Sequence, residues 1–198
     1  MNNKGFTLVE ILAMLVILAI IVSISVPNIS GILSKQKENI SIEDANKLVD
    51  TAKIKTRTGK DVILPNGANN CNIYTMSFLD LNDDYTTGTN GGPYDKYESF
   101  VLIKKTVTNT SGIPEAKYEN YVRLFEKVDG QYMGIELTKI EDLEKNLKPH
   151  MKTFDRKVGI GATATLSTVE NGITTINSSL CSHIERVYVN SEITIKDV

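Results

Sequence analysis

The sequence predicts an α+β protein, with a long N-terminal transmembrane helix continuing into a small globular domain built on an antiparallel β-sheet. Three observations predict it. Residues Phe6 to Val26 form an apolar run, apolar positions recur at spacings of three and four as far as Ala52, and beyond Asp61 the pattern breaks into short segments separated by turn residues. A length of 198 residues allows one ordinary domain with an appended segment, not a multidomain enzyme. The net charge of −2 and a hydrophobic content of 41% exclude general disorder and histone-like nucleic-acid binding. Charge is unevenly spread: 8 basic and 5 acidic residues up to Lys60 leave 14 basic and 19 acidic beyond it.

The 21 residues from Phe6 to Val26 would rise about 31 Å as a helix, matching a hydrocarbon core of about 30 Å. The run does not fit a cleaved secretory signal, because Ser23 and Ser25 lead into Val26-Pro27 and a continuing helical pattern. Orientation stays open on charge alone, with Lys4 before the run and Lys35 and Lys37 after it. Glu10 is the anomaly. A lone carboxylate in a membrane helix costs about 2.5 to 3.5 kcal/mol on insertion scales, and nothing in its own chain is expected to compensate it.

Lys4-Gly5-Phe6-Thr7-Leu8-Val9-Glu10 followed by the apolar run resembles the N-terminal signature of type IV pilins and type II secretion pseudopilins. The resemblance covers about 25 residues. It implies cleavage between Gly5 and Phe6 by a prepilin peptidase of the inner membrane, with methylation of the new amine on Phe6. It maps the family's assembly glutamate onto Glu10, and onto Pro27 the proline that bends the helix beyond the bilayer. The implied organisation is a leader at 1–5, a transmembrane helix at 6–26, an extracytoplasmic continuation at 27–59 and a globular antiparallel-sheet domain at 60–198. The N-terminus would be cytoplasmic and the globular domain extracytoplasmic, before the subunit joins an extracellular filament. The implied partners are the peptidase, other pilin or pseudopilin subunits, an inner-membrane assembly platform and the lipid bilayer. No cofactor is implied. A competence pseudopilin serving DNA uptake, and a membrane-anchored domain that does not polymerise, are the alternatives.

Past Pro27, the apolar positions Ile29, Ile32, Leu33, Ile42, Ala45, Leu48, Val49 and Ala52 share one helical face, and Gly59 suits the C-terminal cap. The helix is therefore expected from about Phe6 to about Thr58. Pro27 should bend it, and with Asn28, Ser30 and Gly31 nearby a local melt between residues 23 and 34 is expected. Lys53, Arg57 and Lys60 share a face of the last turns, where they complement the helix dipole or touch DNA phosphates.

Strands are expected over Ser99 to Val107, Tyr118 to Val128, Gln131 to Leu137, His183 to Val189 and Glu192 to Ile195, with turns at Asp129-Gly130 and Asn171-Gly172. Thr138-Lys139-Ile140-Glu141 reads as a capping box opening a short helix stopped by Pro149, with Ile140, Leu143 and Leu147 on one face.

Asp80, Asn82 and Asp84 begin like a calcium loop, but Tyr85 replaces the turn glycine and Gly91 the bidentate glutamate. They are either turn residues, in a flexible excursion with Gly88, Gly91, Gly92 and Pro93, or an irregular cation site. Cys71 and Cys181 have no metal-ligand spacing and either pair as a disulfide or remain buried thiols. Family disulfides often lock a C-terminal loop, and this spacing does not map directly onto that pattern. His150 and His183 have no nucleophile motif around them, and Gly159-Ile160-Gly161-Ala162 lacks the third glycine of a dinucleotide loop. No enzyme is expected.

Overall fold

The computed structural model describes residues 6–60, 62–81, 87–147, 151–154, 180–189 and 192–195, with backbone alone at 24–30, 110, 152, 154 and 192–195. The chain divides into two compact units, 1–39 and 40–198, and helix α1 (Leu8–Thr58) contributes to both. α1 passes through Pro27 without interruption, so the expected melt between residues 23 and 34 is absent. Proline removes one backbone donor, and the hydrogen bonds of neighbouring turns suffice to keep the segment helical. The helix ends as the sequence indicates, with the Gly59 N–H on Lys55 O at 2.8 Å.

In the second unit, Ala45, Leu48, Val49 and Ala52 recur at three and four and are fully buried. They pack with Tyr74, Val101, Ile103, Val122, Leu124 and Ile135 in the larger of the core clusters. The sheet contains β1 (Asn70–Thr75), β2 (Phe100–Thr110), β3 (Ile113–Val128), β4 (Gln131–Lys139), β5 (Met151–Phe154), β6 (His183–Val189) and β7 (Glu192–Ile195). Its order is β5-β4-β3-β2-β1-β6-β7. The expected sheet was small and antiparallel. It has seven strands, and the β1–β6 pair is parallel because β6 returns beside β1 after the intervening hairpins. Alternating residues of β1 and β2 serve a second cluster, which contains Ile73, Phe100, Leu102 and Val187.

The β3–β4 turn is the one read from Asp129-Gly130, with φ of 47° and 83°. The β2–β3 turn at Ser111-Gly112 was not expected. Pro114 and the charged residues after it masked the first third of β3. Gly134 on β4 has φ 149°, and a Cβ there would lie 2.1 Å from Leu124 O, so close strand approach demands glycine.

Two short helices accompany the sheet, α2 (Met76–Leu79) and α3 (Ile140–Lys145). α3 buries Ile140 and Leu143 as expected, with Leu147 following, but its capping box does not form. Lys139 takes the cap position without a side-chain bond, and Thr138 Oγ1 donates instead to Glu136 O at 2.8 Å. Pro149 lies outside the described residues.

The glycine segment before β2 is likewise not a free excursion. Thr87 bridges Pro93, Tyr94 bridges Glu126, and a Cβ at Gly88 would lie 2.0 Å from Glu126 Cδ. Glycine here admits the buried Glu126 carboxylate, which accepts from Thr89 Oγ1 at 3.2 Å and the Asn90 N–H at 2.8 Å. The same strap reaches α1, where the Tyr94 hydroxyl donates to Asp44 at 2.9 Å.

Two ties fasten β6 to the start of β1. Cys71 and Cys181 form a disulfide with Cα atoms 5.9 Å apart, and both residues are buried. Glu185 accepts the N–H groups of Asn66 and Gly67 at 2.9 and 2.6 Å and the Asn70 amide at 2.8 Å. Burial pushes the Glu185 carboxyl up, but those donors outweigh it and hold it below the usual carboxylate range.

Two predictions follow from these ties. Thiol reagent should label the native protein only after both reductant and denaturant are added, and prompt labelling of native Cys71 or Cys181 would contradict the buried bond. Glu185→Gln should cost about 1 kcal/mol near neutral pH, the difference between a charge-assisted and a neutral hydrogen bond, since glutamine keeps an acceptor oxygen. A depressed carboxyl stabilises above its unfolded pKa of about 4.3 and loses that contribution as pH falls through the folded value. Urea midpoints of wild type and Glu185→Gln should therefore converge in acid, and a gap independent of pH would exclude the ionised clip.

Candidate functional site

The candidate site is the start of α1. Thr7 stands at the N-cap and Glu10 three residues on, the spacing of a reciprocal capping box. The Thr7 N–H donates to Glu10 Oε2 at 2.8 Å and the Thr7 hydroxyl to the same oxygen at 2.9 Å. The Glu10 N–H donates to Thr7 Oγ1 at 3.3 Å, and the Ile11 N–H to Thr7 O at 3.2 Å. This corrects the expectation that Glu10 has no compensation within its own chain. Its carboxylate satisfies donors that the first helical turn leaves open, and the positive end of the helix dipole lies there too. Thr-x-x-Glu was visible in the sequence, but the apolar run drew attention to the carboxylate as a buried charge instead of a cap.

Around this cap the helix is apolar on every side. Phe6, Leu8 and Val9 are 72%, 81% and 73% exposed in the single chain, and each large apolar residue from Ile11 to Val22 is at least half exposed. A helix apolar all round needs lipid or protein against it. Among the described residues no helix is long and apolar enough to cross a membrane. Side chains of the apolar stretch are described within α1 only from Leu8 to Ser23, about 24 Å at about 1.5 Å per residue, short of a hydrocarbon core of about 30 Å. Gly5, on the leader side of the expected cleavage, lies outside the described residues, as does the side chain of Pro27.

Residues 1–26 match the model of the prokaryotic N-terminal methylation motif. The chain carries the type IV pilin and pseudopilin signature. No curated protein and no solved structure matches the chain. The signature thus covers the cap, Glu10 and the apolar stretch, and the globular unit stands on its own geometry.

The remaining expected sites are scattered. Lys53 pairs with Asp50 at 3.0 Å on the surface of α1, and Arg57 and Lys60 are exposed. Asp80 closes α2 at φ 51°, its N–H on Met76 O at 3.2 Å, which is turn chemistry. Asn82 and Asp84 lie outside the described residues, as do His150, Gly159 to Ala162 and Asn171-Gly172. Among the described residues no cluster of His, Cys, Asp and Glu could hold a metal ion. His183 begins β6 opposite Asn70, and the sulfur of nearby Cys181 is bonded to Cys71.

The cap makes its own prediction. Thr7→Val should weaken the helix start by about 1 kcal/mol and Thr7→Ser much less. Amide hydrogen exchange at Val9 to Ile11 should accelerate in the valine variant alone, and equal exchange in all three proteins would exclude the cap.

Proposed function

We propose that the chain is a structural subunit of a type IV pilus-like or type II secretion-like filament, processed after Gly5 and assembled through its N-terminal helix. The observation that carries this reading is the methylation motif over residues 1–26 with Glu10 at the helix start. The apolar helix from Phe6 to Val26 anchors the precursor in the bilayer, with the globular unit outside the cytoplasm. A bend at Pro27 lets that unit tilt as the subunit leaves the membrane. The peptidase cuts between Gly5 and Phe6, and the new Phe6 amine is methylated. That cut leaves the Phe6–Thr7 peptide intact, so both Thr7 donors to Glu10 survive processing.

Capping and assembly then use different features of the same carboxylate. The cap needs an acceptor oxygen. Assembly needs a negative charge for the Phe6 amine of a neighbour, because a slipped subunit strands an amine and a carboxylate in lipid. Glu10 thereby fixes the axial register, while the apolar helices supply the packing.

Intact-mass analysis of the membrane-bound protein should find a chain that begins at methylated Phe6, and a chain still beginning at Met1 in cells with the peptidase would refute the processing step. Glu10→Ala should be inserted and cleaved normally yet enter sheared filaments poorly, with Glu10→Asp intermediate. Glu10→Gln separates the two roles, since it keeps the acceptor and loses the charge. It should assemble as poorly as alanine, about tenfold below wild type for a loss near 1.4 kcal/mol per contact. Wild-type yield from processed Glu10→Gln would reject the charge pairing.

A further inference from the structure

β2 and β3 run on past both of their neighbours. β1 leaves β2 at Lys104, the partner of Cys71, and β4 leaves β3 at Tyr121, the partner of Lys139. Beyond these points the strands pair with each other from Lys105↔Tyr118 to Thr110↔Ile113. This ribbon extends about 20 Å at about 3.4 Å per residue. Strand alternation sets Val107 opposite Ala116, with Pro114 and Tyr118 on the same face. Val107 and Tyr118 are each 39% exposed, and Ile113 at the tip, paired with Thr110 on the opposite face, is 71% exposed. A two-stranded ribbon is marginal by itself in water, and past Lys105, whose carbonyl accepts the Asn69 N–H at 2.8 Å, its edges and apolar stripe call for cover.

Its size restricts what the cover is. One face of about 20 by 10 Å offers roughly 200 Å², against roughly 800 Å² per partner in a stable interface. The ribbon is too small to hold a freely diffusing partner, and suits a body already held beside it by other contacts. A second copy of this chain meets that condition if the chain polymerises through its N-terminal helix, the reading on which this inference rests. From Ile40 onward, the large exposed apolar side chains among the described residues are Val107, Ile113 and Tyr118 on the ribbon, and Ile40, Ile54 and Ile63 elsewhere. Ile54 is 60% exposed on α1, two residues past the buried Ala52.

We propose that the apolar stripe of the β2–β3 ribbon in one copy packs on the α1 surface around Ile54 of the next copy. The two patches differ, so the contact is heterologous and propagates as an open helical array without closing a dimer.

The test uses the full chain in cells that assemble it, with a photo-crosslinking amino acid at position 116, between Pro114 and Tyr118 on the apolar stripe. Light should produce a homodimer in the sheared fraction, with crosslinked peptides joining the ribbon to residues 50–58 of another copy. Val107→Glu with Tyr118→Asp, and separately Ile54→Glu, should lower sheared yield about tenfold. The amount of processed, disulfide-bonded subunit should not change. Undiminished filaments from these variants, or filament adducts that map elsewhere or to a different protein, would overturn the ribbon contact. Wild-type chain that is processed yet never enters a sheared fraction would defeat the filament reading, and the ribbon contact with it. Failure of the ribbon alone leaves wild-type filaments intact.

Discussion

The globular unit depends on one packing constraint, the burial of Ala45, Leu48, Val49 and Ala52 against the sheet. Two of the four are alanines, so the helix backbone can approach strands that carry Val101, Ile103, Val122 and Leu124 on the facing side. Each large apolar side chain buried there stabilises by roughly 1.5–3 kcal/mol. That contact settles which residues of each strand point towards α1. The alternate residues, such as Ile73, Phe100 and Leu102, are thereby committed to the second cluster. The polar ties sit at the margins of this arrangement. Tyr94 reaches Asp44, and the hydroxyls of Tyr74 and Tyr188, whose rings stack 4.7 Å apart, converge on the backbone of Ile63.

The second face carries a different device. Arg123 donates to Glu98 at 2.9 Å while its guanidinium lies 4.1 Å from the centre of the Phe125 ring and 5.6 Å from that of Phe100. Burial pushes the Glu98 carboxyl up, and the Arg123 charge opposes it. A largely buried pair of this kind is weak evidence for stability, because desolvation offsets much of the attraction. It fixes the pairing of β3 with the segment that leads into β2.

Much of this was legible because local pattern and tertiary demand agree. Long helical periodicity gave α1 its end at Gly59, Asp-Gly marked the β3–β4 turn, and β6 and β7 run between the residues at which alternation begins and ends. β1 was missed for a physical reason. Asn-Cys-Asn-Ile-Tyr-Thr is buried on both faces, so it shows no alternation and places Asn72 inside. β5 is too short to declare itself. The strap glycines misled in another way, since their missing side chains make room for Glu126 instead of granting freedom. In the candidate site, Glu10 and the apolar run were read directly, while the role of Thr7 was not. The same Thr-x-x-Glu spacing forms a cap at Thr7 and none at Thr138, where strand β4 runs on to Lys139 and commits the backbone elsewhere. Spacing nominates a cap, and the incoming chain decides it.

The parallel pairing of β1 with β6 governs how the domain can mature. β1 sits inside the sheet, yet one of its two neighbours comes from the last twelfth of the chain. As the chain emerges from its N-terminus, β1 and β2 can join early while the far edge of β1 waits for residues 183–189. During that interval a strand that ends fully buried presents open backbone groups. The globular unit therefore cannot finish folding piecemeal. A chain cut off before residue 183 would leave β1 as an open edge, so the arrival of β6 is the one late event that separates a complete sheet from an incomplete one.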